Sequence, residues 1–317
     1  LFSRVLAAAA TLSLHILIAR AVTPAEYGSI AFLVTVLAIL FLLLSFGNEP
    51  LLVREGGGSS PRALSVVVLG FGFAIAVVAG AAAAAGSIET LFRIPGLERL
   101  LLWGLPVLPL QVLQTAPRAE LLRRQEFARL ARTDAMSSIL AWVPASVFFV
   151  LTGDIAAFAF YLLALHLLRL AAYWKASALL SARFFHQSIR IRSFLAGWRI
   201  FSIDSATYLT TTFDDLVVAG NLGAAMLGIY HLCYRVIAVA QEFFAGVLRL
   251  LSYPRYVEAA SDRERVYRLF CADTRFMNAI LLPVLAIAFA TADSAIPMLL
   301  GDSWSGSIFI FQMLTIE

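Results

Sequence analysis

The chain has 317 residues, of which 61% are hydrophobic and only 14% are charged, and its formal net charge is +4. A soluble domain is typically about half apolar and a quarter charged, so this composition excludes an ordinary soluble protein and favours a membrane protein. The positive excess is spread over several segments, which argues against a nucleic-acid surface. Two cysteines, Cys233 and Cys271, are too few and too isolated to indicate a disulfide framework or a metal site.

Apolar stretches long enough to cross a bilayer recur along the whole chain. A spanning helix needs roughly 20 mostly apolar residues, and we predict nine such spans and the beginning of a tenth. Their ranges are 2–20, 29–50, 63–86, 100–117, 135–152, 155–175, 199–220, 225–248 and 276–299, with the tenth starting near 305. The chain begins at Leu1 without a methionine and ends at Glu317 inside an apolar stretch. We therefore expect it to be part of a longer protein.

Positive residues are concentrated in the segments that follow every second span. Of the 24 lysines and arginines, 18 lie in the segments 54–62, 117–134, 175–199 and 249–275. Cytoplasmic loops of membrane proteins carry an excess of Lys and Arg, so these segments and the N-terminus are predicted to face the cytoplasm. Segment 117–134 has the pattern of one basic amphipathic helix suited to a membrane surface.

The connection between the first two spans carries a helix-start signal. Thr23 stands at the N-cap position, Pro24 at N1 and Glu26 at N3, which together form the pattern of a capping box. Proline is favoured at N1 because its missing N–H would have no helical partner there. The helix that carries the second span is therefore predicted to begin just after Thr23.

A weak internal repeat appears when the sequence is shifted by 200 positions. Small and apolar residues match, since Ala19, Val22, Ala25 and Gly28 meet Ala219, Leu222, Ala225 and Gly228. Polar positions coincide as well, with Arg4, Thr11 and His15 opposite Asp204, Thr211 and Asp215. We predict a first six-helix bundle over 1–175 and an incomplete second bundle over 176–317. Because six spans separate the copies, both bundles have the same orientation, with a site between them.

Three predicted spans carry polar stripes on otherwise apolar helices. At about 100° per residue, the members of each stripe share one helix face. The stripes are Arg4, Thr11 and His15 on span one; Asp204, Tyr208, Thr211 and Asp215 on span seven; and His231, Arg235, Glu242 and Arg249 on span eight. An ionised group facing lipid costs at least about 2.5–3.5 kcal/mol at the helix centre. These faces are therefore predicted to line a hydrated interior.

The hairpin of spans seven and eight suggests one specific ion pair. Its turn lies near 223–225, which places Asp214 and Arg235 at similar depth and allows Asp214 or Asp215 to pair with Arg235. One interpretation is a structural ion pair that neutralises both charges. The other is that Arg235 binds an anionic group while the aspartates take a cation or a proton. Arg169, near the end of span six, is expected to snorkel toward the interface.

Several motifs occur in order along the chain and together resemble a known family. They are Arg20 to Gly28, Phe46 to Glu55, Asp214 to Gly220, Leu227 to Tyr230 with Tyr234-Arg235, and Leu300 to Trp304. This set is similar to the polysaccharide and O-antigen flippases of the multidrug/oligosaccharidyl-lipid/polysaccharide exporter superfamily. The resemblance implies an all-α polytopic membrane protein with the two-bundle exporter fold, of which this chain supplies about nine or ten of twelve to fourteen helices.

The resemblance also implies a function, partners and a location. The family flips undecaprenyl-pyrophosphate-linked oligosaccharide, such as an O-antigen, capsule or exopolysaccharide unit, across the bacterial cytoplasmic membrane by alternating access. By this resemblance Arg235 is an expected substrate-binding residue, and Asp214 and Asp215 match acidic positions expected to couple an ion. The polar stripes add Arg4 and His231 as expected substrate-binding residues, and Asp204 and Glu242 as expected ion-coupling residues. The expected partners are the lipid-linked oligosaccharide, membrane lipid, a coupling proton or sodium ion, and the polysaccharide polymerase machinery. Nucleic acid, a metal and a cofactor are not expected.

Two other functions stay open from the residues alone. A cation-coupled multidrug antiporter of the same superfamily would want an acidic cavity, whereas the charges inside the spans have both signs. A membrane glycosyltransferase or polymerase would normally carry a large outer loop with clustered catalytic groups. The longest predicted outer loop, 87–99, contains only Glu89, Arg93, Glu98 and Arg99 as charged residues. The motifs therefore favour a flippase, and we predict that the protein is not an enzyme.

Overall fold

A computed structural model describes residues 2–177, 179, 184, 187–259 and 262–316. Within these ranges only the backbone is described at 2–9, 59, 204, 207, 209–211, 240, 242–251, 253–254 and 257–258. The described residues form α-helices and two short 3-10 turns, and no β-strand occurs among them. The predicted all-α fold is confirmed.

Twelve α-helices follow one another along the described chain. The first eight are α1 (Phe2–Ala21), α2 (Pro24–Ser45), α3 (Asn48–Glu55), α4 (Ala63–Phe92), α5 (Leu97–Gly104), α6 (Val107–Arg123), α7 (Phe127–Thr152) and α8 (Ala156–Ser177). The others are α9 (Ile191–Leu195), α10 (Trp198–Glu258), α11 (Arg263–Leu300) and α12 (Ile308–Ile316). The 3-10 turns are Gly57–Ser59 and Asp302–Ser307.

Seven helical stretches of the described chain are long and apolar enough to cross a membrane. They are Pro24–Ser45, Ala63–Phe92, Leu97–Arg123, Phe127–Thr152, Ala156–Ser177, Thr212–Val239 and Arg263–Leu300, and Ala10–Ala21 is a shorter apolar helix. Large apolar side chains such as Leu282 and Ile287 lie more than half exposed on α11, as expected for a lipid-facing helix. The chain is a multi-pass membrane protein.

The sequence predicted some helix boundaries correctly and others wrongly. The capping box is confirmed, since the Thr23 side chain accepts from the Glu26 backbone N–H and α2 begins at Pro24. The end of the second span, predicted at residue 50, is wrong because Phe46 and Gly47 both have positive φ and end α2 at Ser45. The single amphipathic helix predicted over 117–134 is also wrong. Helix α6 ends at Arg123, and Gln125 adopts a left-handed φ of 57° between α6 and α7.

Helix α10 is a hairpin and not one straight rod. Gly223 has φ 81° and ψ 177°, and it separates the antiparallel segments 198–222 and 224–258. The reversal brings Asp215 to within 3.5 Å of His231. A left-handed φ favours glycine because it has no Cβ to clash. The turn lies where the sequence predicted it.

Helix α2 lies at the centre of the main hydrophobic core and packs most extensively on α10. Tyr27, Ile30, Phe32 and Leu33 on α2 are almost fully buried. The same core includes residues of α10, α11 and the second 3-10 turn, so it is continuous across the proposed boundary at 175 and 176. The division into two bundles therefore stays a prediction.

Two glycines allow α2 and α10 to cross at very short range. A Cβ on Gly28 would lie 1.9 Å from the Ala224 carbonyl oxygen, and a Cβ on Gly228 would lie 2.1 Å from the Pro24 carbonyl oxygen. Adding 200 to positions 24 and 28 gives positions 224 and 228. The contact of residue 28 with residue 224 is therefore the counterpart of the contact of residue 228 with residue 24. The crossing therefore has local two-fold pseudosymmetry, and the weak sequence repeat corresponds to an equivalent pair of contacts.

A second glycine contact closes the opposite end of the same helix pair. A Cβ on Gly197, just before α10, would lie 2.0 Å from the Phe46 carbonyl oxygen, and one on Gly47 would lie 2.6 Å from the Gly197 carbonyl oxygen. The Phe46 ring stacks on Phe201 with centroids 5.0 Å apart. Helix α2 thus contacts α10 near both of its ends, through the start of the second segment at one end and the start of the first segment at the other.

The buried carboxylate of Glu120 gives a stability prediction. It is fully buried on α6, accepts from the Gly58 backbone N–H at 2.8 Å, and also accepts from Arg123 and Arg124. Glu120→Ala leaves that N–H without its acceptor and should lower the free energy of unfolding by about 2–3 kcal/mol. Glu120→Gln keeps an acceptor and should lose about 1 kcal/mol. Denaturant unfolding in detergent tests this, and equal losses for both variants would contradict it.

Candidate functional site

The candidate site is a cluster of polar side chains where α10 contacts α2. We call it the interface cluster, and it comprises Thr35, Asp214, Asp215, Tyr230 and His231, with Arg235 one helical turn beyond His231 on the same face of α10. Asp215 precedes Gly223 by eight residues and His231 follows it by eight, so the antiparallel hairpin places them level with each other. The cluster therefore draws its members from both segments of α10 and from α2.

Asp215 is the best-connected member of the interface cluster. The Thr35 hydroxyl donates to its Oδ2 at 2.8 Å, and His231 Nδ1 lies 3.5 Å from the same oxygen. Asp215 and His231 each have a side chain that is only 14% exposed. A carboxylate in such surroundings is stabilised by hydrogen bonds and by a positive or polarisable neighbour. Uptake or loss of a proton on the pair would change the charge at the contact between α2 and α10.

Asp214 occupies a different environment from its neighbour in sequence. Tyr230 donates its hydroxyl to Asp214 Oδ2 at 2.5 Å, and the Tyr230 ring stacks on Tyr234. The second oxygen, Oδ1, is buried and has no hydrogen-bond partner in the described part of the chain. A buried carboxylate oxygen without a donor is unfavourable. Asp214 is therefore the less well satisfied of the two aspartates.

His15 on α1 and Tyr27 on α2 form a second pair of polar residues. His15 Nδ1 lies 2.6 Å from the Tyr27 hydroxyl, and both side chains are almost fully buried. The shift of 200 that relates 15 to 215 also relates 35 to 235. His15 on α1 and Thr35 on α2 therefore correspond in the repeat to Asp215 and Arg235 on α10.

The predicted ion pair between Arg235 and Asp214 or Asp215 is wrong. Among the described residues Arg235 makes no ion pair within 4 Å, and Asp215 is paired with His231 instead. The reason is the exact position of the reversal at Gly223, which leaves Arg235 about one turn farther from the bend than His231. Arg235 is also partly buried.

Three of the predicted site residues cannot be placed in the cluster. The side chains of Arg4, Asp204 and Glu242 lie outside the described residues. Sequence reasoning also missed Thr35 and Tyr230, because neutral hydroxyls carry no charge signal. The one available signal was the position of Thr35 as a lone polar residue in the apolar run of α2. In the described part of the chain, no group of three His, Cys, Asp or Glu could hold a metal ion.

Comparison with known families agrees with this architecture. The family model described as "Polysaccharide biosynthesis protein" matches residues 17–309, which include every member of the interface cluster. The chain belongs to this family. Its membership confirms the family resemblance that the ordered sequence motifs indicated.

Three curated relatives show how far the similarity extends. The chain is 23% identical to the succinoglycan biosynthesis transport protein ExoT of Rhizobium meliloti (strain 1021), over 95% of this chain and 61% of ExoT. It is 26% identical to the lipopolysaccharide biosynthesis protein WzxC of Escherichia coli (strain K12), over 34% of this chain and 22% of WzxC. For the teichuronic acid biosynthesis protein TuaB of Bacillus subtilis (strain 168) the identity is 20% over the same shares. The chain thus spans about three-fifths of the length of ExoT.

Proposed function

We propose that the protein carries a lipid-linked oligosaccharide across the bacterial cytoplasmic membrane, with the interface cluster as part of the path. The single observation that carries this proposal is a set of ionisable groups enclosed between α2 and α10 in a family of polysaccharide biosynthesis proteins. A relative that covers almost the whole chain is named a transport protein, which supports movement of a polysaccharide unit. The N-terminus and basic segments would face the cytoplasm.

The charge arrangement suits a cargo that carries a pyrophosphate. In a low-dielectric site a single guanidinium can bind phosphate oxygens through charge-assisted hydrogen bonds. Arg235 has this chemistry and makes no ion pair with another described residue. Asp215 is already held by Thr35 and His231 and does not neutralise Arg235. Substrate binding is therefore assigned to Arg235 with His231 beside it.

The two aspartates suit the coupling of transport to an ion. Asp214 has an unpartnered buried oxygen, and Asp215 shares its charge with a histidine. Binding of a proton or sodium ion there would weaken the contacts to Tyr230, Thr35 and His231 that join the two segments of α10 to each other and to α2. The ion could thus change the stability of the closed contact.

The test replaces Arg235 in the full-length gene expressed in its own host. Arg235→Ala should reduce surface polysaccharide at least about tenfold, the loss expected when one charge-assisted contact of about 1.4 kcal/mol or more is removed. The lipid-linked precursor should accumulate in the inner leaflet. Arg235→Lys should retain part of the activity because the positive charge remains.

The matched control is Arg99→Ala. Arg99 has a side chain that is 67% exposed and pairs with Asp154 far from the cluster, so its loss should leave export unchanged. Membrane levels of each variant are measured by immunoblotting. Normal export by Arg235→Ala would remove Arg235 from the proposed path. Drug sensitivity with intact polysaccharide after gene deletion would contradict glycan transport and favour an antiporter.

A further inference from the structure

A second polar cavity lies among α2, α3, α6, α7 and α8, at the end of the first helices where the basic segments 54–62, 117–134 and 175–199 begin. Its volume is about 180 Å³. The lining residues that matter below are Gln111, Gln114, His166, Arg169, Tyr173 and Phe41. None of them belongs to the interface cluster. Arg169, which the sequence assigned to snorkelling, is instead part of this cavity.

The charges around the cavity cancel in pairs. Arg118 donates to Glu49 at 2.9 Å, and Arg169 Nε lies 3.3 Å from Asp134 Oδ1. Tyr173 donates its hydroxyl to the same Asp134 carboxylate. Two guanidinium groups are thus matched by two carboxylates, which leaves no excess of either sign to select a simple anion or cation.

Hydrogen bonding in the cavity is incomplete for both a donor and an acceptor. The side-chain nitrogens of Gln111 and Gln114 lie 3.1 and 3.3 Å from the two ring nitrogens of His166. Gln111 Oε1 is buried and has no hydrogen-bond partner among the described residues, while Arg169 Nε faces Asp134 in the ion pair at 3.3 Å but makes no hydrogen bond of good geometry. Rotating the Gln111 amide would exchange its oxygen and nitrogen but still leave one of them unmatched. Buried groups of this kind are normally satisfied, which points to a ligand that both donates and accepts.

We propose that this cavity binds one neutral sugar ring. Sugar hydroxyls donate and accept at once, so they can pair with either atom of the Gln111 amide and complete the bonding of Arg169 without adding charge to a cavity whose charges already cancel. The rings of Phe41 and Tyr173 in the lining offer apolar surface for the C–H face of the sugar. The cavity volume of about 180 Å³ is several times the roughly 30 Å³ that one water molecule occupies, so it has room for a ring-sized ligand. That this ring is a unit of the transported glycan rests on the proposed function.

The experiment measures sugar binding to the purified full-length protein in detergent. Neutral methyl glycosides of glucose, galactose and mannose are titrated and followed by saturation-transfer NMR. At least one should bind, and Gln111→Leu should weaken it about tenfold or more because the ligand loses its partner. Gln111→Asn, which keeps the amide but withdraws it by one methylene, should weaken it less. Gln312→Leu, a glutamine outside the cavity on α12, should bind like the wild type.

Two outcomes would overturn the sugar site. One is that no glycoside binds, and the other is that inorganic phosphate competes at a Gln111-sensitive site where glycosides do not. Gln111→Asn covers the case in which Gln111→Leu does not fold, as judged by its thermal unfolding. Glycoside binding combined with normal export in the Arg235→Ala strain would leave the sugar site standing and contradict the transport path. Lost export in the Arg235→Ala strain, combined with no glycoside binding, would support the transport path and contradict the sugar site.

Discussion

Gly28→Ala should destabilise the protein by about 3 kcal/mol, the upper end of the range for inserting a methyl group into a packed interior. The added Cβ would lie 1.9 Å from the backbone oxygen of Ala224, and backbone cannot move aside as the end of a flexible side chain can. The helices α2 and α10 would have to separate at their crossing. The measurement is denaturant unfolding of the purified protein in detergent.

Two glycines on α4 serve as matched controls for this change. Gly72 and Gly80 are also helical, but a Cβ on either would meet nothing within 4 Å. Alanine at these positions should leave stability unchanged or raise it by about 0.5–1 kcal/mol, since alanine restricts the unfolded chain more than glycine does. A Gly28→Ala protein as stable as Gly72→Ala would contradict the close crossing.

The pseudosymmetry of the crossing adds a sharper expectation for the double variant. Gly228→Ala should cost about as much as Gly28→Ala, because its Cβ meets the Pro24 carbonyl oxygen in the equivalent contact. Once one methyl group has pushed the helices apart, the second has more room. The double variant should therefore lose less stability than the sum of the losses in the two single variants, because neighbouring sites are not additive. Strict additivity would indicate that the two contacts are independent.

Much of the fold was predictable because the bilayer limits what an apolar chain can do. A lipid-exposed backbone must satisfy its own hydrogen bonds, so long apolar stretches become helices. The capping box at Thr23 and the reversal at Gly223 have local chemical causes and were found. The ends of helices were harder, because Phe46 adopts positive φ for reasons of tertiary contact. Its carbonyl approaches Gly197, which lies far away in sequence.

The charged residues of the candidate site stand out in the sequence, but their pairings do not. Charges inside apolar helices stand out, so Asp214, Asp215 and Arg235 were identified from the sequence alone. Which partner each one takes depends on helix rotation and on the exact bend, and a shift of one turn moved His231 into the place expected for Arg235. The cavity near Arg169 was missed because its charges are paired across helices that are distant in the sequence.

Transport would require the contact between α2 and α10 to open, since glycine crossings close it at both ends. Hydrophobic burial does not hold such helices together in a bilayer, because lipid is as apolar as leucine. The interactions that hold α2 and α10 together are therefore close packing at the glycines and polar contacts such as that of Thr35 with Asp215. In the mechanism proposed above, protonation or ion binding at the aspartates would weaken these polar contacts. The cluster is thus well placed to link an ion to the opening of the path.

Trp304 should be the position most sensitive to truncation outside the helix crossing. It is fully buried in the second 3-10 turn, donates from Nε1 to the Ala19 carbonyl at 2.8 Å, and meets Tyr27 edge to face. The Ala19 carbonyl lies in the last turn of α1, where carbonyls have no helical donor, so Trp304 satisfies an otherwise orphaned acceptor. Trp304→Ala should lower the free energy of unfolding by about 3–5 kcal/mol.

Trp304→Phe separates packing from hydrogen bonding. It keeps most of the buried ring and loses only the donor to Ala19, so it should cost about 1–2 kcal/mol. Because Tyr27 also holds His15, Trp304→Ala should reduce polysaccharide export even at temperatures where the protein is folded, whereas Trp304→Phe should export nearly normally. Export by folded Trp304→Ala protein at the wild-type level would show that the Trp304–Tyr27 contact supports stability alone. That result would mean that the contacts at the end of α1 do not affect the function of the interface cluster.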